Sequence, residues 1–170
     1  MSVKKKYIII GNSRSGKSTL AKKLLNELNG NYIDIIDYVI SFIKENHISP
    51  KETRIELLKI PYEKLCNDLK KDNNWTILEI ASDFPGEFLP TIINTTNPKP
   101  TVIFCDCPYE VCVTRNAVTQ RKVPVELITH QSQYNREYYE DICAKLDVKL
   151  IVLDTTKKIF DKKINTDSII

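Results

Sequence analysis

Continuous apolar runs, rather than alternating ones, mark the strands that this chain is expected to form. Such runs are typical of parallel strands, because both faces of a parallel sheet are covered. The predicted strands are 7–10, 32–36, 76–80, 101–106 and 149–154. Segments with helical patterning separate them, so the pattern predicts an α/β fold: a five-stranded parallel sheet with helices on both faces.

Helical periodicity is clearest directly after the first predicted strand. Leu20, Leu24 and Leu28 recur at the spacing of one helix face. The region 41–74 is helical only in pieces, with one apolar stripe at 62–69. A long final helix is predicted to begin at Pro124, since proline suits the first helical position.

Length and composition place the chain among ordinary globular proteins. Its 170 residues are 42% hydrophobic and 28% charged, with no linker-like stretch, which predicts one domain over 1–170. No apolar run is long enough to span a bilayer, and the chain starts with Met-Ser-Val-Lys-Lys-Lys rather than a secretory leader. Five cysteines without framework spacing suit a reducing compartment. We therefore expect a cytoplasmic protein with no membrane partner, and the oligomeric state stays open.

The net charge of +3 is small. The lysines at 4–6 and the Lys-rich C-terminal tail are local basic runs, which are usually solvated surface. Charge alone is thus weak support for a nucleic-acid partner.

A phosphate-binding loop follows the first strand. Residues 11–18 read Gly-Asn-Ser-Arg-Ser-Gly-Lys-Ser, which matches Gly-x₄-Gly-Lys-Ser between a predicted strand and a predicted helix. The positions expected to contact a nucleotide are Gly11, Asn12, Ser13, Arg14, Ser15, Gly16, Lys17, Ser18 and Thr19. Lys17 should reach the β- and γ-phosphates and the Ser18 hydroxyl should bind Mg²⁺, so ATP and Mg²⁺ are the predicted cofactors. Together with the strand and helix pattern, this motif predicts a P-loop NTPase fold, which we expect to be adenylate-kinase-like.

The chain lacks the Asn-Lys-x-Asp string with which GTPases read their base, so a small kinase is favoured. Asp37 is the candidate acid that orients or deprotonates the acceptor hydroxyl, because ligands gather at the carboxyl ends of strands. Asp34 is the alternative, and a plain helix cap would also explain Asp37. Glu79 is the candidate that holds a Mg²⁺-bound water, with Asp83 as its rival.

Two arginines border a polar connector before the predicted last helix. Arg115 and Arg121 could close over the phosphates as a lid at about 115–124 and supply positive charge there. An exposed, solvated loop is the plain alternative.

Short strings around this connector resemble the lid region of phage-type polynucleotide 5′-kinases. The strings are Asp106-Cys107-Pro108, Arg115-Asn116, Val123-Pro124 and Arg136-Glu137-Tyr138. Asp37 lies 20 positions after Lys17, similar to the placement of the family's general base. The resemblance implies an ATP-dependent kinase whose acceptor is a nucleic-acid 5′-hydroxyl.

The chain departs from that family at two positions. Ile40 stands where the family has an arginine that binds the substrate phosphate, and Thr119 stands where it has its second lid arginine. Arg121 can replace the latter only with a shifted register. The alternative is a nucleoside, nucleotide or small-metabolite kinase, followed by a nucleotide-hydrolysing regulator.

The remaining chemistry-bearing residues are expected to be structural. Cys105, Cys107 and Cys112 lack a second ligand pair with zinc spacing, so buried thiols are favoured over a metal site. The aromatic residues Trp75, Tyr134, Tyr138 and Tyr139 could stack a base, but packing explains them more simply.

Overall fold

The computed structural model describes residues 4–157 and Ile169. The strands and helices are β1 (Tyr7–Gly11), α1 (Lys17–Leu28), β2 (Tyr32–Asp34), α2 (Ile35–Glu45), α3 (Lys59–Lys71), β3 (Ile77–Ala81), α4 (Pro85–Asn94), β4 (Thr101–Asp106), α5 (Tyr109–Ala117), α6 (Val125–Gln131), α7 (Arg136–Lys145) and β5 (Leu150–Asp154). Two 3₁₀ turns, Pro50–Glu52 and Ile55–Leu58, connect α2 to α3.

The five strands form one parallel sheet in the order β2-β3-β1-β4-β5. From the central strand β1 the chain crosses to β2 and β3 on one side, and later to β4 and β5 on the other. A crevice forms where the direction of winding reverses, at the carboxyl end of β1. The prediction of a five-stranded parallel sheet is confirmed, and the sheet directs the P-loop into this crevice.

Alternate residues of β1 serve two separate cores. Ile8 and Ile10 belong to a cluster that includes residues of α3, α4, α6 and α7. Tyr7 and Ile9 point to the other face, where Leu20 and other residues of α1 cover them. Successive side chains of a strand point to opposite faces of the sheet, so the two clusters lie on opposite faces. Helices therefore cover both faces of the sheet, as predicted.

Two predicted element boundaries are wrong. The strand predicted over 32–36 ends at Asp34, because the Asp34 side chain caps α2 and accepts a hydrogen bond from the Ile36 N–H at 3.0 Å. The long helix predicted from Pro124 is two helices, α6 and α7. Asn135 starts the second one by accepting a hydrogen bond from the Tyr138 N–H at 3.0 Å, and Pro124 lies just before α6 rather than at its first position.

Across residues 4–157, no helix combines the length and apolar character that crossing a membrane requires. Of the basic runs noted in the sequence, the lysines at 4–6 are described, whereas the tail after Lys157 lies outside the described residues.

Candidate active site

The loop between β1 and α1 has the backbone geometry of an anion-binding loop. A Cβ atom on Gly11 would come within 2.8 Å of the Cys105 carbonyl oxygen, so a side chain does not fit there. Gly16 has a φ of 94°, in the left-handed region that favours glycine. α1 has no side-chain cap and no acidic residue in its first turn. The N–H groups at its start are therefore available to an anion such as a phosphate.

Polar side chains gather inside this loop. The Lys17 ammonium group is buried and donates a hydrogen bond to the Asn12 carbonyl oxygen at 2.7 Å. Ser15 Oγ is also buried, and it has no hydrogen-bond partner among the described residues. An ammonium group and a hydroxyl donor beside backbone N–H groups fit the phosphates of a nucleotide.

The Ser18 hydroxyl contacts Glu79 in the middle of β3, and Tyr32 links Glu79 to Asp34 at the carboxyl end of β2. Ser18 Oγ donates to Glu79 Oε2 at 2.9 Å. The Tyr32 hydroxyl lies 2.9 Å from Glu79 Oε1 and 3.1 Å from Asp34 Oδ2, so its single proton serves one carboxyl group at a time. The four side chains form one hydrogen-bonded chain next to the P-loop.

Burial disfavours negative charge on Glu79. It raises the pKa of this carboxyl from 4.5 to about 7, against the opposing effect of the Lys17 charge and with a further increase from nearby Asp34. A cation at this position would stabilise the ionised form. Mg²⁺ is usually held by one or two carboxylates together with substrate phosphates and water, so Ser18 and Glu79 fit such an ion.

The rest of the described chain offers little for a metal ion. No group of three or more His, Cys, Asp or Glu side chains within residues 4–157 is arranged to hold one. Asp83, the alternative to Glu79, is instead buried between Gln131 Nε2 at 2.7 Å and the Tyr62 hydroxyl at 2.9 Å. The structure brings Glu79, and not Asp83, to Ser18.

Asp34 and Asp37 occupy different environments at the start of α2. Asp34 is buried and lines the P-loop cleft, and both of its oxygens have protein partners. Asp37 is exposed in the first turn of α2 and does not line this cleft. The helix cap is Asp34, so the alternative explanation of Asp37 as the cap is wrong. Asp37 lies one turn before Ile40, which lines a second cavity described below.

The predicted lid arginine Arg115 belongs to α5, not to the connector. Its guanidinium donates to the Arg14 carbonyl oxygen at 3.1 Å and to the Thr155 carbonyl oxygen at 2.7 Å. Arg115 therefore joins the P-loop to the end of β5. The connector between α5 and α6 runs from Val118 to Pro124, and the lid at about 115–124 stays a prediction.

Asn116 fastens this segment to the P-loop. Its Oδ1 accepts hydrogen bonds from Arg14 Nε at 3.3 Å and from the Val123 N–H at 3.0 Å, and its Nδ2 donates to the Val123 carbonyl oxygen at 2.9 Å. Arg14 also donates to the Arg121 carbonyl oxygen. The side chain of Arg121 is exposed and lines the cleft. The sequence contained the Arg-Asn string, but nothing in it indicated that Asn116 makes this contact.

Gln131 supports the P-loop from α6. Its Oε1 accepts a hydrogen bond from the Ser13 N–H at 2.7 Å, and its Nε2 donates to Asp83. Asp83 and Gly86 also spell Asp-x-x-Gly, a string used as a switch by GTPases. Here Asp83 is buried in a hydrogen-bond network and Gly86 lies in the first turn of α4. Only the fold reveals Gln131, because it is 118 residues from Ser13.

A second and larger cavity adjoins the P-loop cleft. Its volume is about 560 Å³, compared with about 110 Å³ for the cleft. The cavity is bordered by α2, the 3₁₀ turns, α6 and the segment 121–124. The two cavities share Ser13, Ile36 and Arg121 among their lining residues. Their contact places any molecule in the larger cavity directly beside the P-loop.

The cysteines and two of the aromatic residues noted in the sequence are buried inside the protein. All five cysteines are free and buried. Cys107 Sγ accepts a hydrogen bond from Arg115 Nη1 at 3.5 Å, and a contact with Cys112, followed by the Arg115 charge, lowers the pKa of its thiol to about 7. Trp75 and Tyr139 are buried in the core, as expected of packing residues.

Comparisons with known proteins identify the fold. No protein-family model matches the chain, and no curated protein matches it either. Among solved structures, a sugar kinase from Janibacter sp. HTCC2649 has a TM-score of 0.66 at 18% identity, over 91% of this chain and 87% of that one. A shikimate kinase from Bacteroides thetaiotaomicron has a TM-score of 0.59 at 13% identity, over 96% and 93% of the two chains.

A deoxyadenosine kinase from M. mycoides, solved with dCTP, has a TM-score of 0.60 at 13% identity, over 92% of this chain and 93% of that one. The chain therefore has the fold of small P-loop kinases. None of these three structures is a polynucleotide kinase, so the resemblance to that family remains a prediction.

Proposed function

We propose that this protein is an ATP-dependent kinase that transfers the γ-phosphoryl group to a hydroxyl group of a small molecule. One observation carries the proposal: the P-loop cleft opens onto a larger cavity with which it shares Ser13, Ile36 and Arg121. A donor cleft beside an acceptor cavity is what direct transfer requires, because the reacting groups must be held within contact distance.

In the proposed reaction, the acceptor oxygen forms a bond to the γ-phosphorus while the bond from that phosphorus to the β,γ-bridging oxygen breaks. ADP leaves, and the hydroxyl proton passes to a carboxylate at the start of α2. Lys17 neutralises charge on the phosphates, and Arg121 adds positive charge where the cavities meet. Arg115 positions the P-loop through the Arg14 carbonyl oxygen. Mg²⁺ bound near Ser18 and Glu79 would neutralise further phosphate charge.

Asp37 is the proposed proton acceptor, and Asp34 is the alternative. Asp34 lies nearer to the P-loop, but one of its oxygens accepts a hydrogen bond from the Ile36 N–H, and the other shares the Tyr32 hydroxyl with Glu79. The Asp37 side chain makes no hydrogen bond or ion pair with the described residues, and it lies one turn before Ile40, which lines the larger cavity. A carboxylate without other partners is better suited to take up a proton.

Incubation with γ-labelled ATP and a panel of acceptors tests the proposal. The panel contains nucleosides, sugars, sugar acids and 5′-hydroxyl oligonucleotides. We expect label to move to at least one small molecule. Steady release of labelled phosphate that no acceptor changes would contradict kinase activity and indicate a nucleotide-hydrolysing regulator.

A nucleic-acid 5′-hydroxyl is the second candidate acceptor. The lid strings around Arg115 support it, and so do Lys44 and Lys122, two exposed cations that line the larger cavity. These cations could contact the phosphates of a strand whose end enters the cavity. Preferential labelling of oligonucleotides in the panel would favour this candidate over the small-molecule kinase.

A further inference from the structure

The α2 wall of the larger cavity is apolar along its length. Ile36, Val39, Ile40 and Ile43 recur at helical spacing and line the cavity. They are only partly buried, and Ile35 is the only fully buried residue of α2. A helix with this many branched apolar side chains usually covers them with other side chains. Here their exposed surface faces the cavity beside the P-loop.

The opposite wall is apolar as well. Leu58 closes the cavity from the 3₁₀ turn, Leu127 from α6, and Val123 and Pro124 from the connector. With α2, these side chains enclose a space of about 560 Å³, within the range of roughly 300–1,000 Å³ that is usual for small-molecule sites.

The polar groups deep in the cavity already have protein partners. Asp83 accepts hydrogen bonds from Gln131 and Tyr62 through its two oxygens. Gln131 accepts from the Ser13 N–H through the other end of its amide group. A carboxylate, or an open-chain molecule with a hydroxyl group on nearly every carbon atom, would lose its water there and find few new partners, which is unfavourable.

The positive charges of the cavity lie on exposed side chains. Lys44, Arg121 and Lys122 all belong to this exposed group. A charged substituent on a ligand could meet them only near solvent, where ion pairs contribute little. Selection inside the cavity therefore depends on apolar contact.

We infer that the larger cavity binds an uncharged alcohol whose body is a largely apolar ring system of nucleoside size. The inference rests on the proposed kinase function and names its acceptor class. The ring system lies between α2 and the Leu58–Leu127 wall, and the hydroxyl group points to Ser13, where the cavity meets the P-loop cleft. Sugar acids and open-chain polyols are disfavoured, because the described polar groups deep in the cavity already have protein partners.

Calorimetric titration with adenosine, thymidine and gluconate at two temperatures tests the inference. We expect the nucleosides to bind with a negative heat-capacity change, the mark of apolar burial, and gluconate to bind at least 30-fold more weakly. Ile40→Asp should weaken nucleoside binding at least 30-fold, because it places a charge in the apolar wall. Ile40→Leu should retain binding within a few-fold, since it keeps volume and polarity.

Ile60→Asp is the matched control, because Ile60 is 52% exposed on α3 and does not line the cavity. It should leave nucleoside binding as in the unaltered protein. Equal loss in Ile40→Asp and Ile60→Asp would overturn the inference, and so would tighter binding of gluconate than of either nucleoside. Transfer of label to a sugar acid would also overturn it while leaving the proposed kinase function intact. If no acceptor takes up label but nucleosides bind with the expected Ile40 dependence, the kinase function fails and the assignment of the cavity holds.

Discussion

Glu79 and the two aspartates at the start of α2 show how one residue's role depends on what lies around it. Glu79 is 5% exposed and hydrogen-bonded to Ser18, so its ionisation depends on burial and on the charges beside it. Asp34 is tied to Tyr32 and to the helix backbone, whereas Asp37 is exposed. The three carboxyl groups therefore differ in their surroundings: Glu79 is buried beside the P-loop, Asp34 caps a helix, and Asp37 is exposed.

Replacing each aspartate by asparagine separates their roles. Asp37→Asn should lower kcat by a factor of about 10²–10⁴, the usual contribution of a positioned general base, with little change in the KM for ATP. Because Asp37 is exposed, stability should change by less than about 0.5 kcal/mol. Asp34→Asn should keep the α2 cap, since asparagine is also a good cap. Steady-state kinetics and thermal unfolding of both variants provide the measurement. Loss of turnover in Asp34→Asn alone would assign the proton transfer to Asp34.

The raised pKa of Glu79 makes the stability of the metal-free protein depend on pH. The folded carboxyl group, with a pKa of about 7, binds its proton more tightly than the unfolded one, with a pKa of 4.5. Stability is therefore highest below pH 4.5 with respect to this group and falls as the pH rises towards about 7. The loss is at most on the order of 3 kcal/mol. Denaturant unfolding without metal at several pH values measures it.

Glu79→Gln should remove this decrease, because the amide stays neutral at every pH. Glu63→Gln is the control, since Glu63 is exposed on α3. An unchanged decrease in Glu79→Gln would show that another group causes it.

At the scale of elements, the sheet could be predicted from the sequence, whereas the helix boundaries and the contacts between elements could be predicted only in part. The strands were recognisable because buried parallel strands are continuous apolar runs, and the P-loop because its motif is local. The break between α6 and α7 was missed, since the cap at Asn135 interrupts an otherwise helical pattern. The contacts of Tyr32, Asn116 and Gln131 were missed because each joins residues that are distant in sequence. A single sequence does not contain such pairings.

We predict that Asn116 holds the connector between α5 and α6 in its folded conformation. Asn116→Ala removes its hydrogen bonds to Arg14 and to both backbone groups of Val123. Asn116 is 3% exposed, and loss of a buried polar group that leaves its partners unpaired costs about 1–3 kcal/mol. Limited trypsin digestion should then cleave after Arg121 or Lys122 several times faster than in the unaltered protein.

Asn116→Asp should give an intermediate rate, because Oδ1 keeps its role as acceptor and only the donor to Val123 is lost. Asn94→Ala is the control, since Asn94 is exposed at the end of α4. Equal cleavage rates in all three variants would show that Asn116 does not hold the connector.

At the scale of the whole molecule, the proposed function places donor and acceptor in two adjoining cavities, and the fold alone does not determine which acceptor binds. The sheet order and the loop after β1 set the donor side. The proposed acceptor side is formed by α2, the 3₁₀ turns and α6, in and around the region that was hardest to interpret from sequence. Such connecting segments vary most among proteins that share a fold, and they determine what binds.

The response to salt distinguishes a small acceptor from a nucleic-acid strand. A strand whose end enters the cavity would place phosphates near Lys44, Arg121 and Lys122, the exposed cations there. Each neutralised phosphate releases counterions, so three such contacts would give a slope of about −2 in a plot of log affinity against log salt for a single strand. An uncharged acceptor held by apolar contacts releases none.

We therefore expect the kcat/KM for a nucleoside to change little between about 50 and 200 mM salt, the usual range for this effect. An oligonucleotide carrying the same 5′-terminal nucleoside should be no better an acceptor at the higher salt. Lys44→Gln combined with Lys122→Gln should leave the nucleoside's kcat/KM within about fivefold, because an uncharged acceptor forms no ion pair with these exposed side chains. A steep slope, together with an oligonucleotide that surpasses its nucleoside and loses that advantage in the double variant, would instead identify the protein as a 5′-hydroxyl kinase of nucleic acids.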